Sequence, residues 1–180
     1  MLRIDSSPST LIPGFPMVSW IERLAAALDR SEAFRGCALR AARAEDRAFL
    51  FALHRSAMKG YVEATWGWDE EWQRRHFEQT YAPARHAVVV RHGEPVRDIG
   101  RISLTRHWRK IFLRDIELIP GERNHGLGGA LIGALLGLAR SERRAVELVV
   151  LKCNPAQRLY RRLGFEVIGD DGERLTMRMK

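Results

Sequence analysis

Fifteen residues constrain this chain more than any others: Leu118-Ile-Pro-Gly-Glu-Arg-Asn-His-Gly-Leu-Gly-Gly-Ala-Leu-Ile132. An apolar run that reads as a strand, Ile111 to Leu118, enters a loop rich in glycine. The loop opens a long apolar helix that reaches to about Arg143. Glycine lets the backbone approach a ligand closely. The first N–H groups of a helix are free of internal partners and point outward with the positive end of the helix dipole behind them. A strand, a glycine loop and a helix start in this order make a cradle for phosphate. No Gly-Lys-Ser/Thr follows, which excludes the P-loop of nucleotide hydrolases. Gly126-x-Gly128 begins a dinucleotide fingerprint, but Leu131 stands at its sixth position. The preceding strands also read as a meander and not as the opening of a βαβ unit.

The rest of the chain builds a frame around that segment. Residues 1 to 17 are rich in Ser and Pro and predict no fixed structure. Ser19 and Glu22 form a capping box for a helix from Trp20 to about Phe34, with Trp20, Leu24 and Leu28 on one stripe and Gly36 past its end. Cys37 to Arg40 reads as a strand. Glu45 to Met58 reads as a helix stopped near Gly60, followed by an aromatic loop from Tyr61 to Trp68. Asp69 then caps a helix to about Tyr81. Strands follow at 87–91, 97–106 and 111–118, with Gly100 marking a candidate bulge. After the glycine loop and its helix come an unbroken apolar strand at 145–151, a helix from Asn154 to Leu163, and a closing hairpin. The order α-β-α-α-β-β-β-α-β-α-β-β predicts a mixed α/β sheet flanked by helices in one domain.

The charge balance agrees with an anionic ligand. The 180 residues carry 30 Lys and Arg against 22 Asp and Glu, a net +8. Between Arg123 and Arg162 stand eight basic residues and only Glu142 and Glu147 in opposition, so most of the surplus falls in the glycine-loop region. A basic surplus suits nucleic acid, a membrane surface or a phosphate-rich cofactor. Arg supplies 26 of the 30 basic residues, a compositional bias that weakens the nucleic-acid reading. No apolar stretch reaches the length of a membrane span. Cys37 and Cys153 form neither a metal spacing nor a disulfide framework, and the six His show no metal spacing either. A reducing cytoplasm is the expected location.

A second motif joins the first. Arg123-x-x-Gly126-x-Gly128 lies 26 residues before the start of Asn154-Pro-Ala-Gln-Arg-Leu-Tyr160-Arg-Arg-Leu-Gly164-Phe165, an interval that holds one helix and one strand. The pair resembles the two signatures of the GCN5-related N-acetyltransferase (GNAT) family, over roughly residues 37 to 180. Asn124 departs from the glycine that many members carry there. On this resemblance the chain divides into an N-terminal extension, residues 1–36, and a GNAT domain, residues 37–180.

The resemblance implies a mostly antiparallel sheet whose two parallel strands splay apart at a cofactor cleft, with acetyl-CoA as cofactor. Backbone N–H groups over Arg123, Asn124, His125, Gly126, Leu127, Gly128 and Gly129 would hold the pyrophosphate. Ile116 and Leu118 would bond the pantetheine arm through main chain, and Asn154 would meet it from the next helix. Tyr160 would protonate the departing thiolate. Transfer to an amine needs a proton acceptor, because an amine at neutral pH is mostly ammonium. Asp115 and Glu117 lie two apart on a strand and share a face; Glu117 is the candidate base, directly or through water. The segment after the first helix of the family fold overlies the acceptor, which makes Tyr61, Glu63, Trp66 and Asp115 candidate substrate contacts, their aromatic faces and carboxylates suited to a cationic amine.

These residues imply an acetyl-CoA-dependent N-acetyltransferase that acts on a small-molecule amine by direct transfer in a ternary complex. The expected partners are that amine and neither nucleic acid nor membrane, with homodimerisation open. Acetylation of a protein N-terminus or lysine is the alternative within the class. A non-catalytic acetyl-CoA sensor and a basic nucleic-acid-binding module are the alternatives outside it.

Overall fold

The computed structural model describes residues 17–180, with side chains from Trp20 onward; the expectation of an unstructured start falls outside that range. One seven-stranded sheet organises the chain. Its strands are β1 (Cys37–Ala41), β2 (His86–Arg91), β3 (Arg97–Arg106), β4 (Lys110–Leu118), β5 (Ala145–Leu151), β6 (Glu166–Asp170) and β7 (Arg174–Met179). They lie in the order β1-β2-β3-β4-β5-β7-β6. Every neighbouring pair is antiparallel except β4 with β5, which is parallel. The helices are α1 (Met17–Leu28), α2 (Arg47–Trp66), α3 (Glu70–Thr80), α4 (Leu127–Ser141) and α5 (Gln157–Arg162). The succession of elements is the one the sequence predicts, and the fold is the mixed sheet expected of it.

Two layers of side chains sandwich the sheet. On one face α1 and α4 bury the main core: Trp20, Leu24 and Leu28 of α1 pack with Leu131, Ile132 and Leu135 of α4 over Ile102, Ile111, Val146 and Leu148. The stripe at i, i+4 and i+8 on α1 is the helical repeat read from the sequence. The helix begins at Met17, earlier than the expected cap at Ser19, and ends at Leu28; Glu32–Phe34 form a separate turn of 3₁₀ helix. On the other face α2 and α3 cover a smaller cluster built on Leu50, Leu53, Val88 and Val90, against which Phe77 and Tyr81 pack.

The expectation for the segment 45–68 needs correction. Gly60 does not stop the helix; α2 runs through it to Trp66 and ends at Gly67, whose φ of +81° is one that glycine adopts without strain. A glycine inside a helix costs only about 1 kcal/mol relative to Ala, which a long packed helix tolerates. The stretch Tyr61–Trp66 is therefore the last two turns of α2 and not a loop. Asp69 caps α3 as expected, accepting hydrogen bonds from the Glu71 and Trp72 N–H groups.

Two bulges shape the sheet. Opposite Val89 and Val90 the register of β3 skips Ile99, beside Gly100. A Cβ at Gly100 would lie 2.5 Å from Leu118 Cδ2 and 2.6 Å from the Glu117 carbonyl oxygen, so only glycine lets β3 and β4 approach there. The second bulge leaves Arg114 of β4 without a partner between the pairs Ser103–Asp115 and Leu104–Leu113. The parallel register of β4 with β5 stops at Leu113–Leu148. From Arg114 onward β4 keeps its β3 neighbour but departs from β5, and a cleft opens between the two. Substituting Gly100 by Ala forces this contact apart and is expected to destabilise the protein by about 1–3 kcal/mol, read as a lower urea midpoint.

Candidate active site

The glycine turn sits at the mouth of the cleft. Gly126 takes φ +84° as N-cap of α4, and Asn124 takes φ +64°. Asn is among the few residues other than glycine that enter this region readily, which explains how it stands there. Gly126 offers no capping side chain, and its carbonyl accepts the first helical bond, from the Ala130 N–H. The N–H groups of the first turn of α4 are thus left to an external acceptor. The Arg123 side chain does not extend into this site. Its Nε donates to the Leu118 carbonyl at 2.8 Å and pins the loop to the end of β4. His125 is solvent-exposed. These features fit a pyrophosphate, with the open edge of β4 leading away from it toward α5.

The basic block between residues 123 and 162 is not one site. Arg140 and Arg144 lie at the far end of α4, about 20 Å from the glycine turn by helix rise. Arg144 and Arg23 both pair with Glu142 there. Lys152 pairs with Asp170 across the closing hairpin. Much of the charge that clusters in sequence is dispersed in space.

On the α2–α3 face, beside the cleft, four charged or titratable groups converge. Arg101 is nearly fully buried. Its Nε donates to Glu117 Oε2 at 2.8 Å, and its guanidinium lies 3.3 Å from an Asp115 carboxylate oxygen. His54, from α2, places Nδ1 2.8 Å from Glu117 Oε1. His54, Asp115 and Glu117 together have metal-like spacing, all ligand atoms within 4.8 Å. The cation within this group is the Arg101 guanidinium, which already contacts all three. Sequence spacing does not reveal His54, because it comes from a distant helix; the signal available was its place on the buried side of α2, one residue after Leu53.

The electrostatics assign the protons. Burial alone would raise the Glu117 pKa, but the Arg101 charge and the His54 hydrogen bond outweigh it and hold the carboxyl down at about 2. An ionised carboxylate only accepts. The His54 Nδ1–H therefore donates to it. Tyr160, on α5, is buried. Burial, then the charges of Asp115 and Glu117, push its phenol up to about 12, so it stays protonated.

A cavity of about 360 Å³ adjoins this cluster. His54, Arg101 and Asp115 form one wall, and Trp66, Asp69, Trp72 and Phe77 line the side made by α2 and α3. Of the expected acceptor contacts, Trp66 and Asp115 line it. Tyr61 and Glu63 do not. Glu63 faces a shallow groove on another side of α2 with Arg55 and Lys59, because a helix at 61–66 turns each side chain by about 100° where a loop was expected. The Tyr61 carbonyl instead receives Thr65 Oγ1 at 2.8 Å. Trp66 is held in the lining by two contacts: its Nε1 donates to Glu173 Oε2 at 2.6 Å, and Arg174 lies 5.8 Å above its ring. Asn154 caps the turn that enters α5, its Oδ1 accepting from the Ala156 N–H at 2.9 Å.

A strand that parts from its parallel neighbour beside a glycine-capped helix, with buried charged groups near the gap, is the candidate site. The sequence model described as the Acetyltransferase (GNAT) family matches residues 31–165. This chain belongs to the GNAT family of acetyltransferases, and its cofactor is acetyl-CoA. Among solved structures it is similar to the PaiA N-acetyltransferase of Thermoplasma acidophilum in complex with coenzyme A, with 19% identity, 80% of this chain and 98% of that one covered, and a TM-score of 0.63. It is also similar to the ribosomal-protein-S18-alanine N-acetyltransferase of Escherichia coli, with 18% identity, coverage of 79% and 92%, and a TM-score of 0.58. Arabidopsis thaliana Naa50 in complex with a bisubstrate analogue matches with 12% identity, coverage of 81% and 99%, and a TM-score of 0.54. At these identities the likeness is one of fold. No curated protein matches the chain.

Buried groups that must change protonation make the site acid-sensitive. His86 is pushed down to about 4, first by burial and then by the Arg101 charge. A folded-state pKa below the ordinary 6.5 contributes stability above that value that is lost as pH falls toward 4. Glu117, lowered from 4.5 to about 2, adds a second loss between those values. Urea midpoints measured against pH are expected to fall in both windows, and His86→Gln to flatten the upper one.

Proposed function

We propose that this acetyltransferase moves the acetyl group of acetyl-CoA to the primary amine of a small molecule, by direct transfer in a ternary complex, in the cytoplasm. The observation that carries the small-molecule reading is the cavity of about 360 Å³ beside the His54–Glu117 cluster, with Trp66 held in its lining by Glu173. That volume is at the small end of ligand pockets. Two unpaired cysteines suit a reducing compartment.

Acetyl-CoA supplies the acetyl group as an activated thioester. The residues that would hold it are the N–H groups from Asn124 to Gly129 at the pyrophosphate, the open edge of β4 from Ile116 to Leu118 along the pantetheine arm, and Asn154 opposite. His54 is the base: with Nδ1 committed to Glu117, its Nε2 takes the proton that the ammonium must lose before attack. Glu117 then acts as the positioning residue, fixing the tautomer and favouring the imidazolium that forms, as a carboxylate does behind a histidine in a hydrolase triad. This changes the role expected of Glu117, whose strongly lowered pKa makes it a weak base. Tyr160, protonated, donates to the leaving sulfur. Cys153 supports no covalent route: its Sγ contacts Thr65 Oγ1 at 3.5 Å and the Tyr61 carbonyl at 3.7 Å, neither of which activates a thiol.

Calorimetry with acetyl-CoA is expected to show binding at sub-millimolar concentration, and its failure would sink the transferase reading. A screen of amines and peptides for thiol release is expected to find free amines as acceptors; acetylation confined to peptides would move the substrate class to proteins. In steady-state assays His54→Gln is expected to lower kcat by about 10²–10⁴-fold with acetyl-CoA affinity kept, and Tyr160→Phe to lower it less. Wild-type kcat in His54→Gln would return the base to Glu117 or to water.

A further inference from the structure

The cavity walls are more basic than a pocket for a simple cationic amine requires. Its two lining carboxylates already have partners: Asp69 caps α3, and Asp115 lies 3.3 Å from Arg101. Arg101 is matched by Glu117, and Arg174 pairs with Asp171 at 2.7 Å. Two further lining residues, Arg85 and Arg114, have no acidic partner within 4 Å among the described residues. They enter from different elements. Arg85 closes the short 3₁₀ turn before β2. Arg114 is the extra residue of the β4 bulge.

The bulge is what brings Arg114 to the cavity. In a regular strand consecutive side chains point to opposite faces, and a residue next to Asp115 would face α4. A bulge sets two residues of one strand opposite one of its neighbour and redirects a side chain. Arg114 and Asp115 accordingly both line the cavity. His86 stands at the first position of β2, directly after Arg85. It is 7% exposed, lines the cavity, and its Nδ1 has no hydrogen-bond partner. The Arg114 charge disfavours the charged form of both His76 and His86, two residues that share the cavity lining with it. A buried polar atom without a partner is costly unless a ligand or water completes it.

We infer that the acceptor carries an oxyanion, a carboxylate or a phosphate, as well as its amine: Arg85, Arg114 and His86 take the anion while the amine is presented to His54. This inference rests on the acetyltransferase reading of the same site and narrows its substrate class to anionic amines. Trp72 and Phe77, which also line the cavity, favour an aromatic or apolar body. The guanidinium fork matches either oxyanion by paired hydrogen bonds.

Matched acceptors test it. Thiol release from acetyl-CoA is measured with phenylalanine against phenethylamine, and with phosphoethanolamine against ethanolamine. The anionic member of at least one pair is expected to lead in kcat/KM by about tenfold or more, the pair that does so distinguishing carboxylate from phosphate. Arg114→Gln and, separately, Arg85→Gln are expected to bring that ratio toward one, and Arg114→Lys to restore it in part. His54→Gln is expected to lower both members alike. A calorimetric arm needs no turnover: N-acetylphenylalanine against its amide, titrated with and without coenzyme A, is expected to favour the acid. Equal handling of both members of each pair by the wild type, or arginine variants that lower both equally, overturns the inference while acetyl-CoA binding stands. Absence of acetyl-CoA binding overturns the transferase reading and this inference with it.

Discussion

One extra residue in β4 sets up much of what this protein does. A strand cannot carry an unpaired residue and stay in straight register with both neighbours. At Arg114 the strand bends, keeps its ladder with β3 and leaves β5. The departure has consequences on both sides of the sheet. It exposes a stretch of β4 backbone beside the glycine turn of α4, where an extended cofactor arm would find main-chain partners. It also turns two successive side chains, Arg114 and Asp115, into the cavity on the α2–α3 face. Cleft and acceptor pocket share one cause.

The second constraint is the buried charge at the floor of that pocket. Arg101 and Glu117 are each more than nine-tenths buried, on neighbouring strands at directly paired positions. Such a pair contributes little net stability, since the cost of removing both charges from water roughly offsets their attraction. Breaking it by deleting one partner, however, leaves an uncompensated charge and costs about 3–5 kcal/mol. The arrangement is therefore rigid more than it is strong. It fixes a carboxylate behind His54, and it keeps that carboxylate ionised in a place where burial alone would protonate it.

The order of elements was legible in the sequence because it rests on local patterns: period-two apolar runs for strands, the Trp20–Leu24–Leu28 stripe, the Asp69 cap and the glycines of the cofactor loop. The failure at Gly60 is also local. Glycine was read as a stop, but tertiary packing of a twenty-residue helix overrides a small propensity cost. That one error moved Tyr61 and Glu63 into the expected pocket, since a loop leaves side-chain direction open and a helix does not. His54 was missed for a different reason. Its place beside Leu53 on α2 marks it only as half-buried, and its partner Glu117 lies sixty-three positions away.

By itself the sequence determined the family, the cofactor and the elements that hold it, because a phosphate cradle is made of contiguous backbone and its glycines must stand at fixed spacing. Only the tertiary structure decided which charged groups meet and what lines the cavity beside them. Those properties arise where α2, β3 and β4 meet, and electrostatic roles such as the lowered Glu117 pKa depend on distances across the sheet that no spacing along the chain encodes.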